Sequence, residues 1–120
     1  MLDVTLLKLQ GNLILPLKTE LDDDSVRDLQ ETILKKIEQT GAKGLLIDVS
    51  VLSILDSFLG RVLVETAKMA HLMGTVTVLV GLKKEVVLTL IHLGLPLNIY
   101  TAMTLEKGIE LLASKNRQKS

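Results

Sequence analysis

The stretch Leu45-Leu46-Ile47-Asp48-Val49-Ser50 constrains the fold of this chain more than any other. A short apolar run containing β-branched residues reads as a buried strand. The run meets its first charge at Asp48, and after a turn a helical pattern opens at Asp56-Ser57. Asp and Ser are both preferred helix caps, because their side-chain oxygens accept from the unpaired N–H groups of the first turn. The same place favours an anion, through those N–H groups and the positive end of the helix dipole. Ser57 is therefore either an ordinary cap or a serine placed to carry a phosphate.

The segments on either side repeat the strand-then-helix theme. Val4 to Leu9 and Leu13 to Leu17 are apolar runs separated by Gln10-Gly11-Asn12, a hairpin turn. Pro16 lacks an N–H, which puts the tail of the second run at an edge or a strand end. The acidic cluster Glu20-Leu21-Asp22-Asp23-Asp24-Ser25 then precedes Val26, Leu29, Ile33 and Ile37, which recur at helical spacing. Acids at this helix's start and Lys35-Lys36 near its end suit the helix dipole, and Gly41 is its stop.

After the Asp56-Ser57 helix, whose core side is Leu59, Val62, Leu63, Thr66, Ala70 and Met73, Gly74 ends the pattern. Thr75 to Val80 reads as a strand, Gly81 to Lys84 as a turn, and Glu85 to Leu93 as a short helix closed by Gly94 and Pro96. Leu97 to Tyr100 is a brief edge strand. Thr104 caps a last helix with Leu105, Ile109 and Leu112 inward, and from Ser114 a polar, flexible tail follows. A hairpin followed by strand–helix units gives an α/β fold: a mixed sheet with parallel later strands and about four helices packed against it. Functional loops in such sheets gather beyond the carboxyl ends of the parallel strands, where the Asp48–Ser57 loop emerges.

Composition narrows the function. A chain of 120 residues without a composition break is one domain, spanning 1–120. A single Phe, a single Tyr and no Trp leave Leu, Val and Ile to fill the interior. The mean hydropathy of +0.40 points to apolar surface covered by other subunits. Zero net charge gives no pull toward nucleic acid or an acidic membrane. Residues 1–60 nonetheless hold ten acids and six bases, and residues 61–120 four acids and eight bases, which suits head-to-tail assembly or a merely dipolar surface. No cysteine means no disulfide, thiol catalysis or cysteine metal site. Neither a signal peptide nor a membrane-length apolar run is legible, so a cytoplasmic location is expected.

Catalytic signatures are absent. There is no phosphate-cradling glycine loop and no G-x-S-x-G elbow at Ser57. His71 and His92 lie in helical patterns without a neighbouring ligand, and read as partly exposed helix residues rather than metal or catalytic groups. Asp22-Asp23-Asp24 reads as a capping, solvating cluster before a cation site, since consecutive acids point apart. Met69 and Met73 read as core filler. The expectation is a chain that is not an enzyme and needs no cofactor or metal.

Glu20-Leu21-Asp22, the strand ending in Asp48, Asp56-Ser57 opening a helix, and Leu93-Gly94-Leu95 together resemble the STAS (anti-sigma-factor antagonist) domain family, over essentially the whole chain. The family's common Asp-Ser-Ser/Thr-Gly is here Asp56-Ser57-Phe58-Leu59-Gly60. That departure, with Thr40-Gly41-Ala42-Lys43-Gly44 and His71-Leu72-Met73-Gly74, is similar to the RsbS-type scaffold of bacterial stressosomes. The resemblance implies a STAS fold, with Ser57 as phospho-acceptor. It further implies partner-binding residues Asp22, Asp48, Asp56, Phe58 and Leu59 around the acceptor, and Thr89 as a lesser phosphorylation position. It implies as partners a serine kinase of the histidine-kinase-like ATPase fold, bound and released on phosphorylation, and longer sensor-bearing paralogues in a large shell. A free-standing dimeric antagonist and a small-ligand module are the alternatives.

Overall fold

The computed structural model describes residues 5–17, 21–94 and 99–118. Along these run β1 (Leu7–Leu9), β2 (Asn12–Pro16), α1 (Asp23–Thr40), β3 (Gly44–Asp48), α2 (Ser57–Leu72), β4 (Val76–Val80), α3 (Lys84–His92), β5 (Ile99–Ala102) and α4 (Leu105–Gln118). The strands lie in the order β1-β2-β3-β4-β5, so the run that opens the sequence analysis is the middle strand. β1 pairs antiparallel with β2, and every later pairing is parallel, with Leu45 opposite Leu13 on one side and Thr77 on the other.

Successive strand side chains point to opposite faces. Leu45 and Ile47 join Leu13, Leu15 and Leu79 under α1, α2 and α3, whereas Leu46 joins Ile14, Val78 and Val80 under α4 with Leu112. Both faces of β3 are thus covered. That is why its sequence is a continuous apolar run rather than an alternating one.

The hairpin turns on Gln10 (φ 54°) and Gly11 (φ 81°), two left-handed residues whose twist matches that of the flanking strands. Asn12, expected in the turn, is instead the buried first residue of β2. The expected start of the first strand at Val4 lies outside the described residues. So do Pro96, expected to close the short helix, and Leu97, the expected start of the last strand, which is described from Ile99 to Ala102. Pro16 itself ends β2 opposite Asp48 in the sheet interior, the strand-end reading rather than the edge one.

α1 begins where Asp22 accepts a 2.8 Å hydrogen bond from the Ser25 N–H, and stops at Gly41 in the left-handed conformation (φ 65°). Its stripe of Val26, Leu29, Ile33 and Ile37 is buried. Burial of such a side chain is worth about 1.5–3 kcal/mol, against roughly 0.3–1 kcal/mol for a charge at a helix end. The apolar stripe therefore docks α1. The helix runs on to Thr40, leaving Lys35-Lys36 short of its last turn, so only its acidic start matches the dipole.

α4 lies against β3, β4 and β5. It approaches through Gly108, where an added Cβ would lie 2.5 Å from a Leu46 methyl and 3.0 Å from one of Val80. Three expectations are corrected here. Met73, placed toward the core by spacing, is 43% exposed because it caps the end of α2 just before the left-handed Gly74. Leu105 is 39% exposed, since the first turn of α4 stands beyond the strand ends. The polar tail expected from Ser114 is helical through Gln118; half-buried Ser114 and Asn116, and Lys115 lying 4.6 Å over the Tyr100 ring, hold it to the domain.

Candidate functional site

The segment between β3 and α2 is built on apolar anchors. Leu52 and Leu55 are buried in the α1–α2 core, at 0% and 4% exposure, while Val51 and Ile54, each just before one of them, face outward, Ile54 at 70%. An Asp48 carboxylate oxygen accepts from the Ser50 N–H at 2.9 Å, and the Val49 N–H donates to the Val80 carbonyl. Ser50 then rests on Gly81 (φ 79°), where a Cβ would lie 2.7 Å from its own. The loop leaving β4 must therefore carry glycine for the loop leaving β3 to sit beside it.

The chain enters α2 with Asp56 as the cap residue, in extended conformation, its carboxylate accepting from the Leu59 N–H at 2.7 Å. Ser57 is the first helical residue. Its side chain is exposed, and its hydroxyl makes no hydrogen bond to any described residue. The sequence leaves open whether Ser57 is an ordinary cap. In the structure Asp56 does the capping and the serine hydroxyl is free for other chemistry.

Around Ser57 the expected residues have different fates. Phe58 is half-buried, with the Arg27 guanidinium 5.1 Å from its ring centroid, tying the start of α2 to α1. Leu59 is buried at 4%, so its side chain belongs to the core and offers no exposed patch. The most exposed apolar side chain of this segment is Ile54, which spacing and capping patterns did not single out. With Leu21, Asp56 and the edge of Leu59 it lines a shallow niche of about 150 Å³. Its signal in the sequence was the apolar density of the loop, since Val51, Leu52, Ile54 and Leu55 are more than a plain connection needs. Asp22 stands at the neighbouring helix start; it is exposed, and its carboxyl lies below the usual 3.8 because the Ser25 N–H bonds its charged form. Asp48 is not beside Ser57 in the fold's hydrogen bonding but one loop away, bracing Ser50.

The remaining candidates sit elsewhere. The Thr89 hydroxyl donates to the Glu85 carbonyl at 3.2 Å within α3, the local bond a mid-helix threonine ordinarily makes. His92 pairs with the Leu88 carbonyl at 2.8 Å, and both histidines are exposed helix residues. Met69 is 40% exposed, which removes it from the core. Among the described residues no group of three or more potential ligands could hold a metal ion, and no helix is long and apolar enough to cross a membrane.

The model of the STAS domain matches residues 3–108. The fold superposes on RsbS of Moorella thermoacetica, solved in a serine-to-glutamate variant, with a TM-score of 0.87 and 37% identity, covering 96% of this chain and 98% of that one. A chain from the molecular architecture of the stressosome, described as a signal integration and transduction hub, gives a TM-score of 0.82 and 38% identity, over 94% and 99% of the two chains. Among curated proteins, the RsbT co-antagonist protein RsbRA of Bacillus subtilis is 24% identical over 98 residues, covering 81% of this chain and 36% of RsbRA. The chain spans about a third of the length of the curated relatives it matches. By family model, fold and identity, the chain belongs to the STAS domain family, among its anti-sigma-factor antagonist and stressosome type.

Proposed function

We propose that this chain is a non-enzymatic, cytoplasmic phospho-switch that holds a serine kinase of the histidine-kinase-like ATPase fold and releases it when Ser57 is phosphorylated. It acts as a scaffold, assembling with copies of itself and with longer, sensor-bearing STAS paralogues. The observation that carries the reading is the division of labour at the start of α2. Asp56 satisfies the helix end, which leaves the Ser57 hydroxyl exposed and uncommitted. The likeness to RsbS, and to a protein named for antagonism together with RsbT, supports the choice of partner class.

The switch is a matter of charge and desolvation. Unmodified Ser57 follows Asp56, which with Leu21, Ile54 and Leu59 lines the niche, a surface a partner can cover without burying a formal charge at the serine. Phosphorylation adds about −1.5 to −2 charges. The helix start stabilises that group in the free protein, so the fold tolerates it. Under a bound partner the dianion loses its water, and a penalty of about 3 kcal/mol loosens the complex on the order of a hundredfold. Asp56 beside it adds repulsion.

The test is to incubate the protein with the co-encoded serine kinase and ATP and to locate added phosphate by mass spectrometry. Phosphate is expected on Ser57. In a pull-down Ser57→Ala should hold the kinase and Ser57→Asp should lose it. Equal binding by both variants would refute the release mechanism. Light scattering with the paralogue should show a particle far larger than a pair; a simple dimer would favour the free-standing antagonist.

A further inference from the structure

Arg27 is exposed on α1 with acids at three of its four helical neighbour positions: Asp23 and Asp24 one turn back, Glu31 one turn on. Pairs at these spacings are the usual partners of a helical arginine. Yet among the described residues Arg27 makes no ion pair. Its guanidinium lies instead over the ring of Phe58, 5.1 Å from the centroid, across the gap to the first turn of α2. A full positive charge is therefore parked beside the residue that follows Ser57. The nearest carboxylate on that turn, Asp56, is occupied with the Leu59 N–H.

We propose that Arg27 is the receiver of a phosphate on Ser57, resting on Phe58 while the serine is free and turning to the phosphate once it is attached. The proposal rests on the reading of Ser57 as the phospho-acceptor. A cation over a ring at an exposed site is weakly held, whereas a guanidinium presents a planar fork of donors that matches phosphate oxygens two at a time. A dianion on Ser57 thus outcompetes the ring for the same side chain. The turn takes the cover off Phe58, so phosphorylation alters the apolar outline of the site as well as its charge. Arg61, one helical turn after Ser57 and exposed, is the competing receiver, but it lines a separate groove with Val64, Glu65, Lys68 and Leu93.

The experiment uses the full chain with phosphoserine installed at position 57 by genetic incorporation. Because the chain has one Phe, its ring signals identify themselves in a proton spectrum. In the unmodified protein the Arg27 side-chain protons should be shielded by the ring, and in the phosphorylated protein that shielding should disappear. The second ionisation of the phosphate, followed by phosphorus NMR, should rise by about half a pKa unit on Arg27→Gln, because a nearby cation favours the dianion. Arg61→Gln should leave it in place. Persistent shielding, an unmoved ionisation in Arg27→Gln, or a shift produced by Arg61→Gln in its stead would overturn the assignment. Since no kinase takes part, such a result leaves the mass-spectrometric test of Ser57 phosphorylation standing on its own.

Discussion

Replacing Asp56 by alanine should destabilise the domain, while the same change at the adjacent Ser57 should not. The Asp56 carboxylate holds the Leu59 N–H at 2.7 Å in a partly buried setting, so Asp56→Ala leaves an unpaired donor at the head of α2. Losing such a cap costs about 1 kcal/mol, within a range of roughly 0.5–2. The Ser57 side chain is exposed and unbonded to any described residue, which places Ser57→Ala within about 0.5 kcal/mol of the parent. Urea unfolding followed by circular dichroism separates the two. With a slope near 1.5 kcal/mol per molar, the Asp56 variant should lose about 0.7 M in midpoint and the Ser57 variant no more than about 0.3 M. Asp56→Asn is the control for charge, since asparagine caps as well as aspartate, and it should stay close to the parent. A neutral Asp56→Ala beside a costly Ser57→Ala would mean that the serine is the cap. The assignment of a free hydroxyl, and the switch built on it, would then fail.

Other outcomes follow from the packing. Gly108→Val should cost about 1–3 kcal/mol, because its side chain meets Leu46 and Val80 where α4 comes down on the sheet; thermal unfolding measures it. Thr77 on β4 is 1% exposed, and its hydroxyl has no partner among the described residues, so Thr77→Val should be neutral or stabilising in the same assay. The Asp22 carboxyl is held below 3.8 by the Ser25 N–H, so its cap is fully in place above that pH and is lost as pH falls through the lower folded value. Helical signal should therefore begin to fall below about pH 3.8, and Asp22→Asn should remove that component of the acid titration.

Elements whose stability comes from a single dominant pattern were legible in the sequence. The apolar runs of β3 and β4 and the stripe of α1 are each decided by burial, and burial is written in residue type. Met73 and Leu105 fit their helical stripes but lie where those helices run past the sheet, and sequence spacing carries no record of where a neighbour ends. The same holds at the end of α4, where Lys115 gains the Tyr100 ring from another element. At the candidate site, cap chemistry identified the pair Asp56-Ser57 but could not choose between two good cap formers; backbone conformation made the choice. Arg27 over Phe58 joins residues far apart in the chain, each ordinary in its own segment, so nothing local announced the contact.

The hairpin has a consequence of its own. β1 is bonded on one side only, to β2, and its register places Leu7 opposite Ile14 and Leu9 opposite Asn12, on the face where α4 packs mainly over β3, β4 and β5. Both leucines stay wet, at 49% and 43%. This margin of the domain is stitched by main-chain bonds with little oil behind them, so it can peel off and close again while the four parallel strands remain shut. Its amide protons should trade with solvent well ahead of those in β3, giving one small domain two rates of breathing.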